Sequence, residues 1–272
     1  MEKKWSLQIP EELESYRTEI ERTVKPYIAI KTDKRKTSLW ESKFAGHPYL
    51  PKTMEHPKDA EGNFMLLLAQ LNFGELPPLE PMPKQGILQF FIPADDDVMG
   101  IDFDNMTNQA NFRTVYHKTV EKDESLLVTD FSYLNGLEAE YFPVPHELGL
   151  TFSVCHEPVS VADHRMDGML GEDVDLSVLI TQGGEEKELI EVYEETFAGD
   201  GHKIGGYPFF TQADPREDDE AYEEYDVLLF QMDSDTEADI MWGDMGVANF
   251  FIKEKDLRNL DFSDVLYNWD CH

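Results

Sequence analysis

Four apolar runs of strand length recur along this chain as two matched pairs. Leu66 to Phe73 and Gly86 to Pro93 are answered by Val227 to Met232 and Gly246 to Ile252. Short apolar runs bounded by Gly or Pro predict buried strands. Amides interrupt them at corresponding places, Gln70 and Gln89 in the first pair and Gln231 and Asn249 in the second. Ahead of each pair stands one polar motif: Lys43, Gly46, Pro48 and Tyr49, then Lys203, Gly206, Pro208 and Phe209, each residue 160 positions before its counterpart. Constant spacing in the apolar blocks and small length changes in the polar ones are what an internal duplication leaves. The period is too long for a stacked repeat. The expected arrangement is therefore one compact unit over 1–272, built from β-rich copies related by a pseudo-twofold axis. An N-terminal copy with its leading helix occupies 1–110, connecting strands, an irregular segment and an acidic helix occupy 111–198, and the C-terminal copy occupies 199–272.

Around this frame the pattern predicts further elements. Pro10, Glu11 and Glu12 followed by Leu13, Tyr16, Ile20 and Val24 give a helix over 10–24 with acids in its first turn. Tyr27 to Ile30 and Thr37 to Trp40 are expected as strands on either side of the basic turn Lys34-Arg35-Lys36. The proline-rich stretch 75–84 is an extended connector. Strands are expected at Asn111 to Tyr116, Ser125 to Phe131 and Val265 to Trp269, a short helix from Glu254, and irregular structure over 143–184. Leu189, Val192, Tyr193 and Phe197 share one helical face in 185–198, with Gly199 as the stop. The fold class is α+β, strand-dominated, with flanking helices.

Charge narrows the range of partners. With 56 acidic and 23 basic residues the formal charge is −33, so the surface field repels phosphate backbones and nucleic acid is excluded as a partner. The same field attracts a cationic protein. Cys155 and Cys271 are too few for a disulfide framework, which suits a reducing cytoplasm. No apolar stretch approaches a membrane span, so no membrane partner is expected.

Candidate chemistry is sparse. Asp95, Asp96, Asp97, Asp102 and Asp104 lack the order of a calcium loop and read as a solvated turn. The eight histidines show no metal-ligand pairing, and no serine-nucleophile turn or phosphate-binding glycine loop is present. No cofactor, metal or catalytic residue is assigned. Lys43 and Lys203 either hold their Gly-x-Pro turns against buried acids or face a cleft between the copies, ready for an anionic ligand. Gln70, Gln89, Gln231 and Asn249 are cross-strand clamps or ligand readers. Trp242 suits stacking on a ligand or closing the core.

Ser42 to Tyr49, Leu68 to Phe73, Gly86 to Ile92, Gly201 to Tyr207, Met241 to Asp244 and Leu266 to Cys271 together resemble the bacterial YwqG-like family, a domain of unknown function. The resemblance implies a cytoplasmic bacterial protein and supplies no catalytic residue. The leading expectation is a non-catalytic binding protein, an immunity-like or regulatory factor for a basic partner, with the charge on Glu185, Glu186, Glu188 and Glu191. The alternative is a binder or hydrolase of a small anionic ligand held by Lys43, Gln70, Gln89, Lys203, Gln231, Trp242 and Asn249.

Overall fold

A computed structural model describes residues 5–272, without the Asp218 side chain. Its main element is a ten-stranded antiparallel sheet. In chain order the strands are β1 (Lys25–Asp33), β2 (Lys43–Phe44), β3 (Met65–Asn72), β4 (Ile87–Pro93), β5 (Arg113–His117), β6 (Leu148–Glu157), β9 (Lys203–Gly205), β10 (Val227–Asp233), β11 (Val247–Ile252) and β12 (Val265–Asp270). Their spatial order is β12-β11-β10-β9-β1-β6-β2-β3-β4-β5. The centre is the long pair β1 and β6, running from Lys25 opposite Glu157 to Asp33 opposite Gly149. Beyond it the two wings follow one pattern, a short strand of two or three residues and then a meander of three strands. Both carry an irregularity at the same place in the first long strand, between Leu67 and Ala69 and between Leu228 and Phe230.

The sheet curls until its wings face each other, leaving it nearly closed. Phe90 of β4 lies 5.1 Å from Phe230 and 4.6 Å from Phe250, and Phe112 lies 5.1 Å from Tyr267. All five rings are fully or almost fully buried, so one apolar core serves both wings and truncating any of them costs about 3–5 kcal/mol. A second cluster lies outside the ten strands of the sheet. The N-terminal helical segment places Leu13 and Ile20 there, against Val192 and Tyr193 of α3 (Leu189–Thr196) and against Tyr207. The remaining helices are short: α1 (Arg17–Thr23), which continues a 3-10 turn over Glu11–Tyr16, α2 (Met166–Leu170), α4 (Pro215–Asp218) and α5 (Glu254–Asn259).

The four matched runs, the leading helix, the terminal strand and the strand near Asn111 form where the pattern places them. Four expectations are corrected. Thr37 to Trp40 is a turn, because its backbone donors go to carboxylates: Thr37 N–H donates to Glu147 and Ser38 N–H to Glu41. Ser125 to Phe131 begins with a 3-10 turn capped by Asp123 and touches Pro51 through a single bridge at Leu127. The expected irregular segment contains β6, the longest strand; Leu150 is buried while Thr151, Ser153 and Val154 are exposed, so its apolar signal is diluted. The expected acidic helix starts at Leu189. Glu185–Glu188 is instead β8, paired to β7 (Leu179–Gln182) across Gly183 and Gly184, both at positive φ, the geometry of a tight hairpin.

Candidate functional site

The repeated polar residues form two rows on the outer face of the sheet, one per wing. In the first, Lys43 pairs with Gln70 and Gln70 with Gln89. Every polar atom of Gln70 is occupied: its Oε1 accepts from Tyr49 N–H at 2.7 Å and from Gln89, and its Nε2 donates to the carbonyls of Leu39 and Glu41. Gln89 Nε2 also donates to the Tyr49 carbonyl at 2.8 Å. The amides thus clamp the 39–49 loop onto the sheet. Lys43, almost wholly buried, donates to the Ser38 and His47 carbonyls at 2.6 and 3.1 Å. Burial lowers its pKa to about 8, against the pull of Glu147, Glu41 and Glu75.

The second row repeats the clamp. Gln231 accepts from Phe209 N–H and donates to the Gly199 and Gly201 carbonyls, and Asn249 donates to the Phe209 carbonyl at 2.7 Å. Lys203, with no exposed surface, donates to both oxygens of Glu157 at 3.0 and 2.9 Å. Burial lowers the lysine pKa and raises that of Glu157, each opposed by the partner's charge. The two rows do not meet. β1 and β6 stand between Lys203 and Lys43, which at ~4.8 Å per strand step separates them by roughly 14 Å across the sheet alone. Trp242 joins neither row: it lies in the common core against Trp269, at 6.1 Å between rings.

At the outer end of the first row the sheet opens into a cavity of about 340 Å³ whose polar lining is Glu55, His56, Lys58, Gln89, Arg113 and His117. Alternation along β5 turns Arg113, Val115 and His117 to this side. The hydrogen bonds fix both histidine tautomers. Gln89 Nε2 is committed to two acceptors, so its Oε1 accepts from His117 Nε2 at 2.9 Å, and the proton is on Nε2. His117 Nδ1 therefore carries a lone pair with no partner among the described residues. His56 Nε2 donates to the Met65 carbonyl at 2.7 Å, so its Nδ1 accepts from Tyr133 Oη. Burial lowers the pKa of both rings, that of His117 to about 4, so both are neutral at pH 7.

Arg113 stands apart from the other arginines. Arg17, Arg35, Arg165, Arg216 and Arg258 pair with carboxylates, and Arg22 donates to two carbonyls. Arg113 has no hydrogen bond or ion pair among the described contacts, and its Nε is enclosed without a partner. A sequence signal for this site was present. Arg113 and His117 sit four apart in a strand, hence on one face, with Gln89 on the neighbouring strand.

A second cluster invites a metal reading. Ligand atoms of Asp163, His164 and Asp214 lie within 4.8 Å of one another. Both carboxylates, however, are gripped in bidentate fashion, Asp163 by Arg165 at 2.7 and 2.6 Å and Asp214 by Arg216 at 2.8 and 2.6 Å. Burial opposes ionisation of Asp163, but the arginines prevail and hold its pKa at about 2. With the fully buried Arg216 guanidinium in place, a cation would meet like charge, so these residues fit an ion-pair knot and not a metal centre.

Residues 42–271 match the model of a domain of unknown function, DUF1963. No curated protein matches the chain.

Proposed function

Because the chain belongs to the DUF1963 family, whose description carries no activity, we propose its function from the cavity: it binds a small anionic ligand through a carboxylate or phosphate group. The observation that carries this reading is Arg113. Among the described residues of a chain with 56 acidic residues, this guanidinium beside a cavity has neither a carboxylate nor a carbonyl partner, and its enclosed N–H has no acceptor. An unmade buried hydrogen bond costs about 1–3 kcal/mol, and a carboxylate or phosphate, offering two oxygens at once, would satisfy the guanidinium fork. Lys58 adds a second positive charge against Glu55. The His117 Nδ1 lone pair accepts a hydrogen bond, favouring a ligand with a hydroxyl or amino group near its anionic end.

This keeps the small-ligand alternative and moves it from a cleft between the wings to one wing. The two amide rows support reading the wings as copies of one duplicated unit, in which His117 satisfies Gln89 whereas Asn249 Oδ1 is left without a partner. The YwqG-like resemblance, with a bacterial cytoplasmic setting, belongs to the same reading.

Thermal unfolding with sodium phosphate, succinate or chloride at matched ionic strength tests the proposal. Phosphate or succinate is expected to raise the Tm of the wild type by several degrees, and that of Arg113→Met by no more than chloride does, since general salt effects act on both. Equal shifts in the two proteins, or none in the wild type at 20 mM anion, would overturn it.

A further inference from the structure

Far from the anion cavity, α2, the turn after it and the start of α3 enclose a groove of about 400 Å³. Its floor is apolar: Met166, Leu170 and Leu176 are buried there, with Val174 partly so. Apolar surface continues outward from it. Val178 is 44%, Leu179 65% and Ile190 37% exposed, three large aliphatic side chains within one short stretch of surface. Such a patch is unusual on a chain with so many charges to place there.

The rim has one sign. Asp167, Glu172, Asp175 and Glu188 line the groove, and no lysine, arginine or histidine does. None of these four carboxylates takes part in an ion pair among the described residues; Asp175 accepts from Ser177, and Glu188 closes the capping box of α3 with Glu191. Neighbouring cations are engaged by other groups: Arg22 donates to the Met169 and Leu170 carbonyls, Arg165 pairs with Asp163, and Lys187 pairs with Glu195. Aliphatic floor and anionic rim are complementary to one kind of partner.

We propose that this groove docks a cationic amphipathic helical segment of another protein, its apolar side chains on the floor and its lysines or arginines facing the rim. The apolar contacts supply affinity, and the carboxylates supply orientation and a fast, salt-sensitive association. An anionic membrane is disfavoured by the rim's charge, and a nucleic acid by the same argument. The inference does not depend on the Arg113 reading, since the two sites share no residue.

Fluorescence anisotropy with a labelled 15-residue lysine–leucine peptide, leucines spaced i, i+3, i+4 and i+7, tests it against a version with leucines replaced by serine. The lysine–leucine peptide is expected to bind the wild-type chain at 50 mM salt and to weaken at least fivefold at 200 mM. Asp167→Lys with Glu172→Lys is expected to weaken it at least tenfold, and Ile190→Ser at least fivefold with an unchanged salt dependence. Glu138→Lys with Glu140→Lys, exposed acids on a different loop, removes as much charge and is expected to change binding less than twofold. Tm measurements on each variant separate misfolding from lost binding. No binding by the wild type, equal binding of the serine peptide, or equal loss from the two charge-reversal pairs would overturn the proposal.

Discussion

Replacing His117 and His202 should flatten the acid sensitivity of this fold. Both rings are buried, and burial lowers the pKa of each from 6.5 to about 4, for His202 against the pull of Asp235. His202 Nδ1 accepts from Asp233 N–H at 3.0 Å, so adding a proton there sets two donors against each other. A lowered histidine pKa means that the unfolded chain takes up the proton first. The stability this represents is intact above pH 6.5 and is lost as the pH falls towards 4. Linkage gives a loss of about 2 kcal/mol per ring between pH 7.5 and 5, about 4 for the pair. The range stays above the isoelectric point of 4.4. His117→Gln keeps a donor for Gln89, and His202→Asn keeps an acceptor for Asp233 N–H. Urea unfolding of wild type and double variant, followed by tryptophan fluorescence at pH 7.5, 6.5, 5.8 and 5.0, reads the difference directly. Changes in repulsion among the surface acids affect both proteins and cancel. If the double variant loses as much stability as the wild type, to within about 1 kcal/mol, the rings are not held neutral.

Two further outcomes follow from the second row. Lys203→Met strands the Glu157 carboxylate and is expected to cost about 3–5 kcal/mol, or roughly 2–4 °C of Tm per kcal/mol in a chain near this size; adding Glu157→Gln should recover part of it in the same melting assay. Gly206→Ala would place a methyl group against Glu157 Oε1 at a positive φ of 75°, whereas at Gly62, with φ 90°, an added methyl group meets nothing. Gly62→Ala should cost about 1–2 kcal/mol and Gly206→Ala clearly more, and equal costs in chemical denaturation would refute the contact.

The sequence revealed what depends on local pattern. Val247–Ile252 and Ile87–Pro93 are buried along their whole length, so their apolar runs are continuous and easy to read. β6 escaped because it is half exposed and its partner β1 lies more than a hundred residues upstream. The hairpin β7–β8 escaped because Leu189 to Phe197 set a helical period that extended backward over Glu185–Glu188. For the site, Gln89 was legible as a recurring buried amide, and its clamp role explains the recurrence. The second wing places Leu266 and Asp270 where the first has Arg113 and His117, so a search for matched residues passes over them. What singles out Arg113 is the missing partner, and ion pairing is a property of the folded chain.

The central position of β1 also bears on how the chain is made. Synthesis delivers β1 first, yet its two neighbours in the sheet are β6, ending at Glu157, and β9, beginning at Lys203. On the ribosome the first wing can assemble from β2 to β5, but residues 25–33 must wait through some 120 further residues for one edge to be covered and through about 170 for the other. Contacts of such long sequence separation slow folding and leave a strand edge open to wrong partners meanwhile.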